Sequence, residues 1–229
     1  MDLIIEGLKK AINMILTGDP EVLRITLLTL QVSGTATLIS LIIGIPFGTV
    51  LALKRFPGRD FLMSIVNTGM GMPPVVAGLW ISILLWRSGP LGSLNLIYTP
   101  TAIIIAQAVI ASPIVVGLTS AAISQVDPKL RLQIKALGAT KLQYLWFLLK
   151  EARFSLLAAV IAGFGAVVSE VGASMMVGGN VKGLSRVLTT ATVMEVSKGN
   201  FDVAIALSAI LVLVSYLTTL WLTVLQQKR

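Results

Sequence analysis

The chain has 229 residues, 55% of them hydrophobic and only 12% charged, and its mean hydropathy is +0.91. A soluble domain of this size cannot hide that much apolar surface in one core, so lipid must be the main solvent and the fold class is that of an all-α integral membrane protein. Cysteine and histidine are absent, which excludes disulfides, Cys/His zinc sites and imidazole acid–base chemistry, so no catalytic residue, metal or cofactor is expected. The net charge of +8 falls in short gaps between apolar runs and aromatic content is only 6%, a pattern that fits membrane flanks and not a nucleic-acid surface.

Residues 1–19 open the chain with "LIIEGLKKAINMIL", where Leu3, Ile4, Leu8, Ile12 and Ile15 fall near one helical face and Glu6, Lys9 and Lys10 lie elsewhere. This reads as an amphipathic helix on the membrane surface, too short and too charged to cross. It does not read as a cleavable signal, because Asp2 and Glu6 stand where a positive region is expected. A crossing helix needs about 20 apolar residues, and five stretches qualify: 25–53, 61–86, 99–126, 154–177 and 203–227. The first carries Gly44, Pro46 and Gly48 near its end, which allow bending and close packing. The second is interrupted by "GMGMPPVVAG", where Gly71, Pro73 and Pro74 make either a kink or a bend that lines a gate. Pro113 lies inside the third.

The fourth stretch holds Glu170 and a glycine series, Gly163, Gly165 and Gly172. The glycines suit a close-packing face. An acid inside a span is costly, and three uses stand open for Glu170: snorkelling outward, pairing with an outer basic residue, which is favoured, or a part in transport. "VGGN", 177–180, reads as an outer turn.

Five crossings put the termini on opposite sides. With the N-terminus outside, 11 Lys and Arg fall inside, Lys228 and Arg229 among them, and 7 fall outside; the excess inside sets that orientation. Residues 127–153 are then cytoplasmic and carry six of the basic residues, Lys129, Arg131, Lys135, Lys141, Lys150 and Arg153. Charge alone would hold this loop inside, but its order says more. Asp127 and Pro128 form a helix start, with Leu130, Ile134 and Leu137 on one face. Gly138 suits a left-handed stop, and Thr140 can cap a second helix through Leu142, Leu145 and Trp146. The product is a helix, a glycine elbow and a helix on the cytoplasmic face, a shape that points to a protein partner there.

"QIKALGATKLQYLWFLL" in this loop resembles the cytoplasmic loop of permease subunits of ATP-binding-cassette importers, a pattern of Glu-Ala-Ala, three residues and Gly before a hydrophobic stretch ending in Ile-x-Leu-Pro. Gly138 matches the glycine, and Leu137 and Ala139 its neighbours. Leu132, Gln133 and Ile134 stand in place of Glu-Ala-Ala, and Lys150 and Glu151 in place of Leu-Pro. "GMPPVVAGL", 71–79, is similar to a segment of sulfate, molybdate and tungstate permeases, and 169–207 resembles the tungstate type in particular. The resemblance implies the type I importer transmembrane fold, a single domain over 1–229 and a homodimeric pore in the cell membrane. It further implies cytoplasmic ATPase subunits docked at Ile134, Lys135, Leu137, Gly138, Ala139 and Thr140, and an extracytoplasmic binding protein that delivers tungstate, with molybdate or sulfate as alternatives. Gly71, Pro73, Pro74 and Glu170 are the candidates for the path or gate. The chain has no Gly-Lys dipeptide, so it has no phosphate-binding loop of the Gly-x-x-x-x-Gly-Lys-Ser/Thr type, and the engine must be another polypeptide. A secondary transporter or channel is the rival reading, but such proteins place paired ionisable groups or broken-helix ion sites near the midplane, and Glu170 is alone.

Overall fold

The structure is a computed structural model that describes residues 2–227; the terminal charges Lys228 and Arg229 lie outside the described residues. Among these, helices account for all regular structure. They are α1 (Asp2–Thr17), α2 (Pro20–Leu53), α3 (Arg59–Met70), α4 (Pro74–Leu85), α5 (Pro100–Ser124), α6 (Pro128–Ala136), α7 (Lys141–Glu151), α8 (Arg153–Val168), α9 (Gly172–Gly178), α10 (Leu188–Ser197) and α11 (Phe201–Gln227). A 3-10 turn at Gly92–Leu94 sits between α4 and α5.

Three helices, α2, α5 and α11, are long and apolar enough to cross a membrane singly. Two bent pairs would raise the number to five if each counts as one span: α3 with α4, bent by 101°, and α7 with α8, bent by 69°. Helix α2 has 34 residues, about 51 Å at 1.5 Å per residue, so it outruns a hydrocarbon core of about 30 Å. It starts at Pro20 because the Asp19 carboxylate accepts from the amides of Glu21 and Val22 at 2.9 and 3.0 Å. It runs unbroken through Pro46, as α5 does through Pro113.

The α2–α5 pair is the spine. A methyl group at Gly44 would stand 2.5 Å from the Val115 side chain, and one at Gly48 would stand 2.5 Å from the Val116 carbonyl oxygen. Two glycines four apart therefore let the backbones touch, which is how helices associate where lipid supplies no hydrophobic drive. The main core joins α2, α4, α5 and α9 through Val32, Ala77, Ala102, Ile103, Ala106 and Ala173, and its small side chains keep these helices close. Helix α1 meets α11 through a small-residue face: Ala11 is buried, Gly7 lies against Ile205, and Lys10 pairs with Asp202 at 2.6 Å. Its large apolar residues Leu3, Ile4, Leu8, Ile12 and Ile15 point outward.

Two stretches that read as single spans are broken. In 61–86, Pro73 and Pro74 supply no amide donor, and the chain turns between Met70 and Pro74 with Gly71 N and Met72 N closing on the carbonyls of Thr68 and Gly69. In 154–177 the helix stops at Val168 and restarts at Gly172, so Glu170 stands in a gap between α8 and α9. Helix α10 is an element that the sequence reading leaves out. Its entry is buried at Leu188, Thr189 and Thr190.

Candidate functional site

The elbow is built by three caps in sequence. The Asp127 carboxylate accepts from Lys129 N at 2.8 Å and Pro128 takes the first position of α6. At its end Gly138 has φ +78, and the amides of Gly138 and Ala139 return to the carbonyls of Lys135 and Ile134 at 3.0 and 3.4 Å, the bond pair of a Schellman stop with glycine in the left-handed position. Thr140 Oγ1 accepts from Gln143 N at 3.3 Å while Gln143 Oε1 accepts from Thr140 N at 2.9 Å, a capping box that starts α7. Nothing lies within 4 Å of where a Cβ on Gly138 would be, so the glycine serves the backbone angle and not a close approach.

Of the expected docking residues, Leu137, Gly138, Lys135 and Thr140 are exposed, Ala139 is half-buried and Ile134 is buried. Ile134 and Leu137 therefore do not share a face: Ile134 turns inward, whereas Leu137, the cap residue just after α6, is 87% exposed. Leu142 and Trp146 of α7 are 79% and 65% exposed. The base is anchored by Ala122, Ile123, Val126, Leu148 and Ala152. Arg131 Nη2 donates to the Ile123 carbonyl, and Lys135 Nζ lies 5.2 Å from the centre of the Tyr144 ring. Exposed apolar side chains thus stand on a capped, basic loop.

The second candidate site is the pair of breaks, which the fold sets side by side. Helices α4 and α9 pack backbone to backbone: a Cβ on Gly78 would be 2.6 Å from the Cα of Ala173, and one on Gly172 would be 2.6 Å from Val75. Glu170 is 7% exposed. It takes part in no ion pair among the described residues; instead its Oε1 accepts from Ala173 N at 2.8 Å and so caps α9, in place of the basic partner expected from sequence. Its backbone carbonyl accepts from Thr189 Oγ1 at 2.9 Å. Gln107, buried in α5, donates through Nε2 to the Val167 carbonyl at 3.0 Å and to Ser174 Oγ at 3.3 Å. Gln107, Ser174 and Thr189 escape the sequence reading. A lone amide in an apolar span is the signal that points to Gln107, because in lipid it must find partners. Each of α4 and α9 thus follows a gap in its helix, and the two helices pack against each other.

Beside α3 a groove of about 890 Å³ is lined by Ile39, Ile43, Phe61, Ile65, Thr68 and Pro113, and α3 itself has no buried residue.

Over 216 residues the chain is 38% identical to the tungstate uptake system permease protein TupB of Peptoclostridium acidaminophilum, covering 94% of this chain and 95% of that one. It is 38% identical over 192 residues to a probable anion ABC transporter permease protein of Haloferax volcanii, covering 82% and 83%. In architecture it is similar to a chain of the MetNI methionine ABC transporter, with a TM-score of 0.75, 22% identity and coverage of 90% and 95%, which establishes the type I importer permease fold. Residues 44–229 match the family described as binding-protein-dependent transport system inner membrane component, and the chain belongs to that family.

Proposed function

We propose that this chain forms, with a second copy of itself, the membrane path of an ATP-driven importer for tungstate. It is a transport subunit and not an enzyme; ATP hydrolysis belongs to a separate ATPase. The observation that carries the coupling role is the elbow at Gly138: a capped, positive-φ turn that presents an 87% exposed Leu137 has no use inside this chain and fits a pocket on a cytoplasmic ATPase subunit. Ile134, Lys135, Ala139 and Thr140 shape the elbow and its charge. The cargo assignment follows the tungstate permease of P. acidaminophilum, and molybdate and sulfate are the competing oxyanions. The excess of Lys and Arg on the elbow side supports a cytoplasmic elbow, an extracellular N-terminus and residence in the cell membrane.

ATP-driven approach of the two ATPase subunits would push the elbows together. Each elbow continues through α7 and the 69° bend into α8, and α8 ends at the Glu170 gap. The thrust therefore reaches a hinge line at Gly71, Pro73, Pro74 and Glu170, where α4 and α9 swing as one body to open or close the path, a rigid-body alternating-access scheme. The exposed α3 and its groove are where the second copy packs, and an outer binding protein delivers the oxyanion. The deciding experiment is expression with the candidate ATPase followed by purification on a tag carried by this chain, with tungstate uptake measured in vesicles. ATPase that fails to co-purify, or uptake that proceeds without ATP, overturns the reading.

A further inference from the structure

The orientation proposed above leaves seven basic residues outside, where loops gain nothing from positive charge, yet three of these converge on one spot. Arg24 of α2 donates through Nη2 to the Gly183 carbonyl. Lys182 Nζ and Arg186 Nη1 both approach the Glu21 carboxylate, at 2.7 and 3.3 Å. These four side chains rim a cavity of about 260 Å³ whose remaining wall is apolar: Ile25, Leu28 and Leu184. Three cations face one carboxylate, an excess of two positive charges. The adjoining cavity, which shares Glu21, Lys182 and Arg186, adds Lys198 against Asp19 and Glu195 and is thereby balanced. With the shared groups counted once, the two cavities hold four cations and three carboxylates, and the surplus charge is that of Arg24, which lines the first cavity alone. Arg186 is moreover only 14% exposed, and its Nε is buried without a hydrogen-bond partner, a costly state unless an acceptor arrives.

We propose that this cavity is a binding site for an anionic phospholipid of the outer leaflet, its phosphate held by Arg24, Lys182 and Arg186 and its first methylenes lying on Ile25, Leu28 and Leu184. The apolar wall decides between lipid and a free oxyanion, since a free oxyanion gains nothing from three aliphatic side chains, whereas a phosphodiester on a glycerol backbone matches both halves. The place fits as well: the wall residues lie in the first turns of α2 and in the segment between α9 and α10, where the chain leaves the membrane. A lipid seated here would tie α2 to the α9–α10 segment and so brace the outer side of the hinge line. The assignment to the outer leaflet rests on the proposed orientation; the binding itself does not.

The test is native mass spectrometry of the full-length chain released from phosphatidylcholine nanodiscs doped with phosphatidylglycerol. Phosphatidylglycerol should be retained in preference to phosphatidylcholine. Arg24→Gln combined with Lys182→Gln, both exposed positions, should weaken its binding roughly thirtyfold, and Lys54→Gln combined with Arg55→Gln at the far end of α2 should leave it unchanged. Equal retention by wild type and the Arg24/Lys182 variant overturns the proposal, as does an equal loss in the Lys54/Arg55 control. Displacement of the lipid by glycerol phosphate or tungstate at micromolar concentration also overturns it and makes the cavity a site for a soluble oxyanion; resistance to both supports the lipid. The sidedness is read separately by labelling Ser93→Cys, the sole cysteine of that variant, with a membrane-impermeant maleimide in whole cells. Labelling from outside supports the outer leaflet, and failure to label moves the site to the inner leaflet without touching the mass-spectrometric result.

Discussion

Replacing Gly138 by valine isolates what the elbow does. The residue sits at φ +78 with open space around the missing Cβ, so the variant meets no clash within this chain and the whole effect is backbone. An L-residue held left-handed costs about 1–2 kcal/mol, at the upper end when β-branched. That is a factor of about 5 to 30 in the population of the elbow. The Schellman bonds from Gly138 and Ala139 go with it, and Leu137 loses its fixed direction. The anchoring cluster around Ile123 and Leu148 is untouched, so insertion and folding should persist. The assay is ATP-driven tungstate uptake, with hydrolysis coupled to it, in vesicles holding the permease, its ATPase and its binding protein. Gly138→Val should lose both activities in about that proportion. Gly138→Asn, similar in size but tolerant of the left-handed region, should keep most of both. Loss in the asparagine variant equal to that in the valine variant would show that bulk against the partner matters and not the turn, and full activity in Gly138→Val would refute the coupling argument.

The cap on α9 gives a second pair of variants: Glu170→Gln keeps the acceptor for Ala173 N and should transport normally, whereas Glu170→Ala should lose about 1 kcal/mol and transport poorly; an inactive Gln variant would mean that the charge itself is required. In the turn after α10, the hydrogen bond from Asn200 and the ammonium of Lys198 hold the Glu195 carboxyl below the usual carboxylate range. Its contribution to stability is present above the unfolded value and is lost as pH falls through the lowered one, so the protection of the Asn200 amide, corrected for its intrinsic exchange rate, should hold at neutral pH and fall only below the usual carboxylate range, and a loss of protection near neutrality would contradict this. No Lys or Arg lies deep within α5, α8 or α11, and the one cation of α2, Arg24, sits near its start, so calorimetric titration of the permease alone with tungstate should show nothing tighter than about micromolar, roughly −8 kcal/mol; nanomolar binding would place selectivity in this chain. A single cysteine at Ile65 on α3 should give a dimer with a flexible bifunctional maleimide in membranes, and a purely monomeric product would remove the second copy from that face.

The parts that could be read from sequence are those whose causes lie next to each other in the chain. Asp127 with Pro128, Gly138, and Thr140 with Gln143 each supply their own hydrogen-bond partners within a few residues, so the elbow is written locally. The charge-free runs of α2, α5 and α11 are legible for the same reason. The double proline marks the α3–α4 break because proline removes its own donor. The Glu170 gap has no such mark: "SEVGASMMVGG" holds no proline, its apolar run continues, and an acid there suggests a pairing that the fold does not make.

What stabilises that gap comes from elsewhere. Breaking a helix exposes amide and carbonyl groups that lipid cannot satisfy, and here side chains of two other helices bond to carbonyls beside the gap, with a third helix behind them. Gln107 of α5 reaches the Val167 carbonyl, Thr189 of α10 reaches the Glu170 carbonyl, and α10 is itself positioned by Thr29 of α2, whose hydroxyl accepts from Leu188 N at 2.9 Å across 159 residues of sequence. Helix α10 is invisible in the sequence on the same ground, since a distant hydroxyl helps to hold its start. The break is therefore a property of the assembled bundle. On the proposed route, in which α8 delivers the displacement, the gap would also respond to shifts of α5 and α10, whose side chains hold it, and of α2 through α10.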